Sequence, residues 1–561
     1  MGQMSGERRA RCAGRSRVAM WAAAGVLAAL AGTATAGETT EYRSIDGTGN
    51  NLSNYYWGSA GALLRRDSVG MYSDGVGEMM SRTSARSISN AVGTQTAATD
   101  TNSRNLSAMW WQWGQFIDHD FAQVHGGTES ASISVPMGDA SFDPYFTGVA
   151  EISFTRSAFT LPEDDCRQHA NEITSFVDAS AVYGSDTARA SALRSGVGGR
   201  MLTSDGDLLP FNTMGLDNDN ATGNPGPLYA AGDTRANEVI GLTAMHTLFV
   251  REHNYWADQL AAQNPEWDDE TLYQEARRVV GAQMQAITYN EFLPALLGEG
   301  ALSDYDGYDD TVDATLSNEF STAAYRLGHT MLNNQYLLLN EDGSEHSYGH
   351  VDLADGFFNP VDVMEQAGLD PIFRGLAAQQ ANEIDTQVVD GVRNFLFGPP
   401  GAGGLDLLAL NIQRGRDHGI PDFNTLRQAF GLDAIIDFTD LTSDAALAAA
   451  LATVYSDVSE IDPWIGLMAE DHVNGASVGE TLRAILVDQF ERMRDGDRFW
   501  YEGDAELAAL VGDTTLSDII LRNTDIDWLQ GNVFFAPAIP APASIALMGL
   551  GGYAAMRRRR A

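Results

Sequence analysis

Cysteine is almost absent from this chain of 561 residues, which contains only Cys12 and Cys166. Cys12 lies in an N-terminal segment with the features of a cleaved leader, so Cys166 is the only cysteine expected in the processed chain. An internal disulfide is therefore excluded for that form. A protein exported without such a cross-link depends for its stability on a large core or on a bound metal or cofactor.

Basic residues are also scarce. The chain has 35 Lys and Arg against 76 Asp and Glu, which gives a formal net charge of -41 at pH 7. Binding to a phosphate backbone requires clustered Lys and Arg to replace counterions. We therefore expect no nucleic-acid partner.

The apolar run near the N-terminus is short. Five arginines between Arg8 and Arg17 precede the apolar run 18–31, and small residues follow as far as Ala36. This pattern is typical of a secretory signal cleaved after Ala36. The adjacent Arg8 and Arg9 leave twin-arginine export open, but no apolar pair follows at the expected spacing, so the general secretory route is favoured.

The C-terminus has three parts: a Pro-Ala-Pro segment at 540–542, an apolar stretch at 545–556, and four arginines at 557–560. The stretch is too short for a membrane span, which needs about 20 residues. The tail resembles the bacterial PEP-CTERM sorting signal, with Pro-Ala-Pro replacing Pro-Glu-Pro. The resemblance implies export to the cell surface or medium of a bacterium, with transient membrane contact through the tail. A plain short membrane anchor remains the alternative.

The chain divides into four predicted segments: a signal peptide 1–36, an N-terminal arm 37–105, a catalytic body 106–532 and a sorting tail 533–561. The arm is rich in Gly, Ser, Thr and Asn, which predicts an extended segment lying on the body. The body contains amphipathic runs at helical spacing, at 107–124, 238–263, 269–297, 317–332 and 478–494. We see no internal repeat and no regular series of strands. The predicted fold class is mainly α, one large domain with few short strands.

An apolar, aromatic run at 110–121 contains three polar groups on one helical face. Gln115, Asp118 and His119 stand at positions i, i+3 and i+4. Burying an amide, a carboxylate and an imidazole together costs free energy unless each finds a partner. A lone histidine is more often a satisfied core residue, but this grouping favours a functional site.

Three further segments bring charged and polar groups next to apolar runs. In two of them the polar residues are three apart and share a helical face. Arg235 with Glu238 could simply be an ion pair at a helix start, which contributes little if exposed. These two pairs are Arg235 with Glu238 and Arg326 with His329, and the third segment, 411–419, concentrates polar groups, Asn411 and Arg414 among them, after the apolar run 405–410.

These four motifs, in this order, resemble those of the animal haem peroxidase family, which includes myeloperoxidase, lactoperoxidase and peroxidasin. Segments 174–185 and 462–500 also fit, and the similarity runs from about Tyr42 to Val533. The resemblance implies a haem b enzyme that reduces hydrogen peroxide and oxidises a small halide, pseudohalide or phenolic substrate through a ferryl intermediate.

The resemblance also implies roles for individual residues in the haem pocket. It makes His119 the distal base and Arg235 the distal cation, while Gln115 helps to hold a small anion above the iron. His329 is the implied proximal iron ligand. Asn411 would orient it through the second ring nitrogen, which fixes the tautomer and raises ligand basicity.

Other matching positions concern the haem edge. Asp118 and Glu238 stand where the family forms ester bonds to haem methyl groups. Val239 stands where one mammalian member has a methionine that forms a sulfonium link, so that link cannot form here. Arg326 and Arg414 match positions near the haem propionates, where a guanidinium suits a carboxylate.

A calcium site is implied next to the distal histidine. The oxygen ligands at the matching positions suit Ca²⁺, and they come from Asp120, Thr174, Phe176, Asp178 and Ser180. The Phe176 ligand is its carbonyl. Without the resemblance, an Asp-x-Ser pattern would be interpreted as a solvated turn.

Two alternative functions remain open. Fatty-acid dioxygenases of the same superfamily use a tyrosine three residues before the proximal histidine, where this chain has Arg326. Tyr325 is one residue away, which on a regular helix turns it by about 100°. The other alternative is a non-catalytic surface or matrix protein on a peroxidase scaffold, but such degeneration should have removed His119, Arg235 or His329, and all three are present.

Overall fold

The computed structural model describes residues 41–95, 101–162 and 166–537. The predicted signal peptide, and the predicted sorting tail apart from residues 533–537, lie outside these ranges. None of the helices in the described ranges combines the length and the apolar character that a membrane span requires.

The described chain is mainly helical, which confirms the predicted fold class. The helices up to residue 331 are α1 (Ala85–Val92), α2 (Ala108–Phe121), α3 (Ser180–Tyr183), α4 (Thr187–Ala192), α5 (Ile240–Gln263), α6 (Asp269–Ile287), α7 (Leu293–Leu297), α8 (Asn318–Thr322) and α9 (Gly328–Met331). Those that follow are α10 (Leu353–Gly356), α11 (Val361–Gln366), α12 (Asp370–Ala378), α13 (Asp390–Arg393), α14 (Leu407–Asp417), α15 (Phe423–Ala429), α16 (Phe438–Leu441), α17 (Ala445–Val454), α18 (Pro463–Ala469), α19 (Glu480–Asp495), α20 (Ala505–Val511) and α21 (Leu516–Asn523).

Short irregular helices and six short strands complete the described structure. The 3-10 segments are Asp205–Asp207, Ala324–Leu327, Val458–Glu460 and Tyr501–Gly503, and Thr288–Phe292 is a turn of π-helix. The strands are β1 (Gly126–Ser130), β2 (Ile133–Ser134), β3 (Glu151–Ile152), β4 (Thr155–Ser157), β5 (Gln335–Tyr336) and β6 (Val351–Asp352). They form three antiparallel pairs, β1 with β4, β2 with β3 and β5 with β6.

Helices α5 and α6 pack against each other in the core. The Asp268 side chain begins α6 by accepting a hydrogen bond from the Thr271 backbone N–H at 2.9 Å. Most residues of both helices are buried. Helix α2 packs on α3 and α5, and its Trp110 stacks on Phe292 with ring centroids 4.4 Å apart. The polar face of α2 is thereby fixed inside the domain.

The N-terminal arm is more ordered than its composition indicates. It contains α1, which packs against α14 and α17. Arg86 of α1 is buried and pairs with Asp139 and Asp406, each at 2.7 Å. Two buried carboxylates compensate the charge of this guanidinium, so the arm is joined to the body by an ionic contact as well as by packing.

The predicted continuous helix 317–332 is wrong. The chain instead forms α8, a 3-10 segment and α9, and the break falls at Ala323, where φ is -124° and ψ is -60°. Helix propensity is a weak signal that tertiary contacts override. The predicted helix 269–297 is confirmed as continuous helical backbone, in which a π-helical turn joins α6 to α7.

Candidate active site

A buried cavity of about 430 Å³ lies between α2, the loop before α5, α9 and α14. The four separated motifs meet around it. The predicted site residues that line it are Gln115, Asp118, His119, Arg235, Glu238, Arg326, His329 and Arg414.

Asp233 organises one wall of the cavity by contacting both Arg235 and His119. Its carboxylate accepts two hydrogen bonds from the Arg235 guanidinium, at 2.9 and 2.7 Å. Nδ1 of His119 lies 3.4 Å from Oδ1 of Asp233, an ion-pair distance rather than a close hydrogen bond. Asp233 is 3% exposed. This bidentate pair fixes the position of the guanidinium.

The charges of this wall favour a neutral His119. Burial lowers its pKa well below the ordinary value, and Arg235 lowers it further. Burial alone would raise the pKa of Asp233, but Arg235 and His119 hold it well below its usual range. An ionised Asp233 thus balances Arg235 while the imidazole remains able to accept a proton.

Gln115 is held by a neighbour that the sequence did not single out. Gln112 donates from Nε2 to Oε1 of Gln115 at 3.1 Å, and its own Oε1 accepts from the Tyr336 hydroxyl at 3.1 Å. A Cβ on Gly241 of α5 would lie 2.1 Å from Oε1 of Gln112. The absence of a side chain at Gly241 therefore allows α5 and α2 to approach closely.

On another wall, His329 of α9 is paired with Asn411 of α14. Nδ1 of His329 lies 3.1 Å from Oδ1 and 2.9 Å from Nδ2 of the Asn411 amide. Burial and Arg326 lower the pKa of His329 to about 3, so the ring is neutral. When Nδ1 donates to Oδ1, Nε2 keeps its lone pair, which is the state that a metal-ligating histidine needs.

Two guanidiniums lie near His329. Arg414 donates to Ser157 and to Asp417, each at 2.8 Å. Arg326 forms no salt bridge with any residue in the described ranges, and burial, aided by Arg414, lowers its pKa to about 10. A buried guanidinium without a carboxylate partner fits an anionic group entering from the cavity.

Asp118 and Glu238 are two of the carboxyl groups in the cavity wall, which also includes Asp219. Burial raises the pKa of Asp118 to about 6 and that of Glu238 to about 7. Arg235 opposes both shifts, with its guanidinium 4.0 Å from Asp118. Both groups are therefore available as partly protonated carboxyls facing the cavity.

The five predicted calcium ligands come from the end of α2, which holds Asp120, and from the segment 174–180 that leads into α3. Burial raises the pKa of Asp120 well above its ordinary value, and the Asp178 carboxylate raises it further. Ser180 donates from Oγ to the Asp120 carbonyl, and Thr174 donates to Asp178 at 3.0 Å. Two buried carboxylates in mutual repulsion, surrounded by hydroxyl oxygens, fit a bound cation. Phe176 belongs to the same turn, next to Ser175 and Val177.

Sequence reasoning missed three residues of this site. Asp233 stands two positions before Arg235, so an ion pair could have been considered there. Gln112 gave no signal beyond being polar in an apolar helix. Tyr325 also lines the cavity, and the signal available in the sequence was its position four residues before His329, a spacing that shares a helical face.

The donor set therefore fits a haem. A buried cavity lies between two neutral histidines, with carboxyls and guanidiniums around it, inside a large helical domain. This combination defines a haem-binding oxidoreductase. The family model for the animal haem peroxidases matches residues 42–534. The chain therefore belongs to the animal haem peroxidase family.

Similar proteins occur in several different organisms. Peroxinectin A of Dictyostelium discoideum is 37% identical over 516 residues, covering 88% of this chain and 96% of that protein. Human eosinophil peroxidase is 35% identical, covering 89% of this chain and 77% of that protein. Peroxidasin of Drosophila melanogaster is 36% identical over 82% of this chain, which spans only 34% of that longer protein.

Solved structures agree with this assignment. Peroxidase A from Dictyostelium discoideum superimposes with a TM-score of 0.84 at 36% identity, covering 89% of this chain and all of that chain. The fatty acid alpha-dioxygenase of Oryza sativa has a TM-score of 0.74 at 21% identity, covering 91% of this chain and 90% of that chain. The latter likeness shows a common fold only.

Proposed function

We propose that the chain reduces hydrogen peroxide at a haem held between His119 and His329, and oxidises a small halide, pseudohalide or phenolic substrate. The observation that carries this proposal is the Asp233 carboxylate, which pairs with Arg235 and faces His119. It places a neutral base and a fixed cation on one side of the cavity, opposite a neutral potential iron ligand.

Bound haem would supply an iron that accepts an oxygen atom from peroxide and gives up electrons. His119, neutral at working pH, would take a proton from the incoming peroxide and return it to the leaving oxygen. Arg235, already positioned by Asp233, would stabilise negative charge as the oxygen–oxygen bond breaks. Neither group needs to move far before it acts.

The remaining residues would hold the prosthetic group. His329 would ligate the iron through Nε2 while Asn411 fixes its ring. Arg326 and Arg414 would receive the propionates, and Asp118 and Glu238 would supply ester links to the haem edge. Gln115 would help to hold a small anion near the reaction site.

We also propose a Ca²⁺ held by Asp120, Asp178 and the other three predicted ligands and, from the sequence alone, export of the protein through its leader and C-terminal tail. The two buried carboxylates support the cation. A bacterial source and a surface or extracellular location follow only if the PEP-CTERM resemblance of the tail is correct.

The test is an optical spectrum of the purified chain followed by peroxide in separate cuvettes with iodide, bromide, thiocyanate and a phenol. We expect a Soret band and turnover of at least one donor. His329→Ala should lose haem and turnover, because the iron loses its protein ligand. An unchanged Soret band and rate in His329→Ala would contradict the proximal assignment.

The alternatives predict different results. A non-catalytic scaffold would bind no haem, or would bind it without reacting with peroxide. A fatty-acid dioxygenase would consume oxygen with a long-chain fatty acid, and Tyr325→Phe would abolish that reaction. Arg326 at the position where those enzymes carry tyrosine argues against it.

A further inference from the structure

A continuous series of aromatic rings leads from the cavity wall towards the surface. The ring of Tyr325 lies 5.8 Å from that of Phe490, and Phe490 lies 5.9 Å from Tyr289. Tyr289 lies 4.6 Å from Trp500, which lies 6.2 Å from the partly exposed Tyr305. We name these five residues the aromatic path. Neighbouring rings at such distances transfer electrons readily.

The buried part of the path offers poor acceptors for a proton. Four of its five residues are Tyr or Trp, which lose an electron far more easily than Phe. The Tyr325 hydroxyl has no hydrogen-bond partner within the described residues, and Tyr289 donates only to the Phe490 carbonyl, at 2.6 Å. A tyrosine that loses an electron must also release its phenolic proton, so a long-lived radical is disfavoured at Tyr325 and Tyr289.

The outer part of the path has a proton acceptor. Nε1 of Trp500 donates to the carboxylate of Glu502 at 3.2 Å. Trp500 is buried, whereas Glu502 is exposed to solvent. Because an indole that has lost an electron is strongly acidic, Glu502 can take its proton. Trp500 is therefore the residue of the path best suited to remain as a radical after it has lost an electron.

We infer that the aromatic path serves a second oxidation site at Trp500 and Tyr305, for donors too large to enter the haem cavity. The inference rests on the proposed peroxidase function, in which peroxide removes two electrons from the enzyme and is reduced to water. Trp500 passes one electron along the path to the oxidised haem and gives its N–H proton to Glu502. A donor at the surface then gives one electron to the indole and releases one proton, Glu502 returns the indole proton, and the donor becomes a neutral radical. Two such cycles restore the enzyme and supply the two electrons and two protons with which hydrogen peroxide becomes two waters.

The surface next to Tyr305 selects the class of donor. A hollow there is lined by five aspartates, Asp304, Asp306, Asp309, Asp310 and Asp495. Arg494 lies 5.9 Å from the Tyr305 ring, but Asp495 pairs with it at 2.7 Å. A concentrated negative field attracts cations. The site therefore suits bulky, positively charged aromatic amines or phenols, such as a tyrosine within a lysine-rich peptide.

The first experiment locates the radical. The haem-loaded protein is mixed with peroxide without donor, in the presence of a spin trap, and is examined by electron paramagnetic resonance and by peptide mass spectrometry. We expect trap adducts on the peptide that contains Trp500 or on the one that contains Tyr305. Adducts confined to Tyr325 or to other cavity residues would overturn the inference.

The second experiment compares two donors, iodide and a lysine-rich peptide that contains one tyrosine. Trp500→Phe should lower the ratio of peptide to iodide oxidation and abolish the adduct. Glu502→Gln, a surface change that avoids a folding defect, should do the same because the proton acceptor is lost. Trp528, which is 66% exposed, provides the matched control, and Trp528→Phe should leave the ratio unchanged.

Asp306→Asn combined with Asp309→Asn should lower peptide oxidation by roughly tenfold or more at low salt, by weakening electrostatic attraction. Suppose that the wild type oxidises iodide but the ratio of peptide to iodide oxidation is unchanged in both Trp500→Phe and Glu502→Gln. That result would refute the second oxidation site and leave the proposed function intact. Absence of iodide, bromide, thiocyanate and phenol oxidation in the wild type would instead refute the proposed function.

Discussion

At the scale of single residues, the Asp233 carboxylate holds the Arg235 guanidinium in one position before peroxide binds. A guanidinium free to rotate would lose conformational entropy each time it aligned with substrate. The two hydrogen bonds from Asp233 remove that freedom in advance. The same carboxylate lies 3.4 Å from Nδ1 of His119 without forming a hydrogen bond, so its effect on that ring is electrostatic.

We expect Asp233→Asn to slow the reaction with peroxide about ten- to a hundredfold, the usual cost of losing a residue that orients a reactive group. The measurement is stopped-flow absorbance at the Soret band after mixing with peroxide. If Asp233 acts mainly through Arg235, the double variant Asp233→Asn/Arg235→Ala should be little slower than Arg235→Ala alone.

The control for that series is Asp258→Asn, which removes a carboxylate from an exposed pair with Arg200. It should react at the wild-type rate. If instead the losses of Asp233→Asn and Arg235→Ala multiply in the double variant, then Asp233 does not position Arg235.

At the scale of elements, the broken helix 317–332 decides how residues of one motif reach the cavity. On a regular helix Tyr325 and His329, four residues apart, would share a face, and Arg326 would be turned by about 100° from Tyr325. In the structure a 3-10 segment and α9 replace that helix, and all three side chains line the same cavity.

A second irregular element, the π-helical turn at Thr288–Phe292, is joined to the last helix. Glu291 in this turn accepts a hydrogen bond from the Leu516 backbone N–H at 2.8 Å, at the start of α21. The carboxyl is 7% exposed, and burial raises its pKa to about 7 from an ordinary value of 4.5. The folded protein therefore binds a proton here more tightly than the unfolded chain does.

This shift predicts a pH effect on stability with a defined sign. A carboxyl whose pKa is raised in the folded state costs stability as pH rises from about 4.5 through about 7. Glu291→Gln keeps an acceptor but does not titrate. We expect its free energy of unfolding to rise relative to wild type between pH 5 and pH 8, by about 1–3 kcal/mol.

Denaturant unfolding followed by tryptophan fluorescence at both pH values measures this difference. Glu266, on the surface after α5, supplies the control, since the effect of Glu266→Gln should not depend on pH. A Glu291→Gln difference that is also constant with pH would show that Glu291 is not perturbed as described.

At the scale of the whole molecule, the proposed cation site and the distal wall are connected through the backbone of α3. Asp120 accepts from the Ala181 N–H at 2.8 Å, and the Ala181 carbonyl accepts from the Asp233 N–H at 3.1 Å. A Cβ on Gly232 would lie 2.5 Å from the Val182 carbonyl carbon, so the two loops are in close contact. A change at Asp120 therefore reaches Asp233 directly.

Prolonged chelation would remove the cation that compensates two buried carboxylates, and Asp120→Ala would remove one of the ligands of that cation. We therefore expect either change to lower both the melting temperature and the rate of reaction with peroxide. Calcium should restore both after chelation. Asp205→Ala, at an exposed position away from both sites, is the control and should change neither. If elemental analysis finds no metal and chelation changes nothing, these residues form a simple loop.

The sequence alone predicted the fold class and most of the residues that line the cavity. It did not predict how those residues are arranged. Helical periodicity located α2, α5 and α19 to within a few residues, since one face of each is apolar. It missed α1, which is short, and the breaks in 317–332, which long-range contacts impose. The predicted site residues of α2 share a face because residues three and four apart always do so in a helix.

What the sequence by itself determined is therefore local: which residues can form helices, which polar groups share a helical face, and, through motif resemblance, the family. Only the tertiary structure decided that Asp233 pairs with Arg235 beside His119, that Gln112 fills the space left by Gly241, and that the rings of the aromatic path meet. These contacts join segments far apart in the chain, and their geometry depends on how the helices pack, which no local pattern specifies.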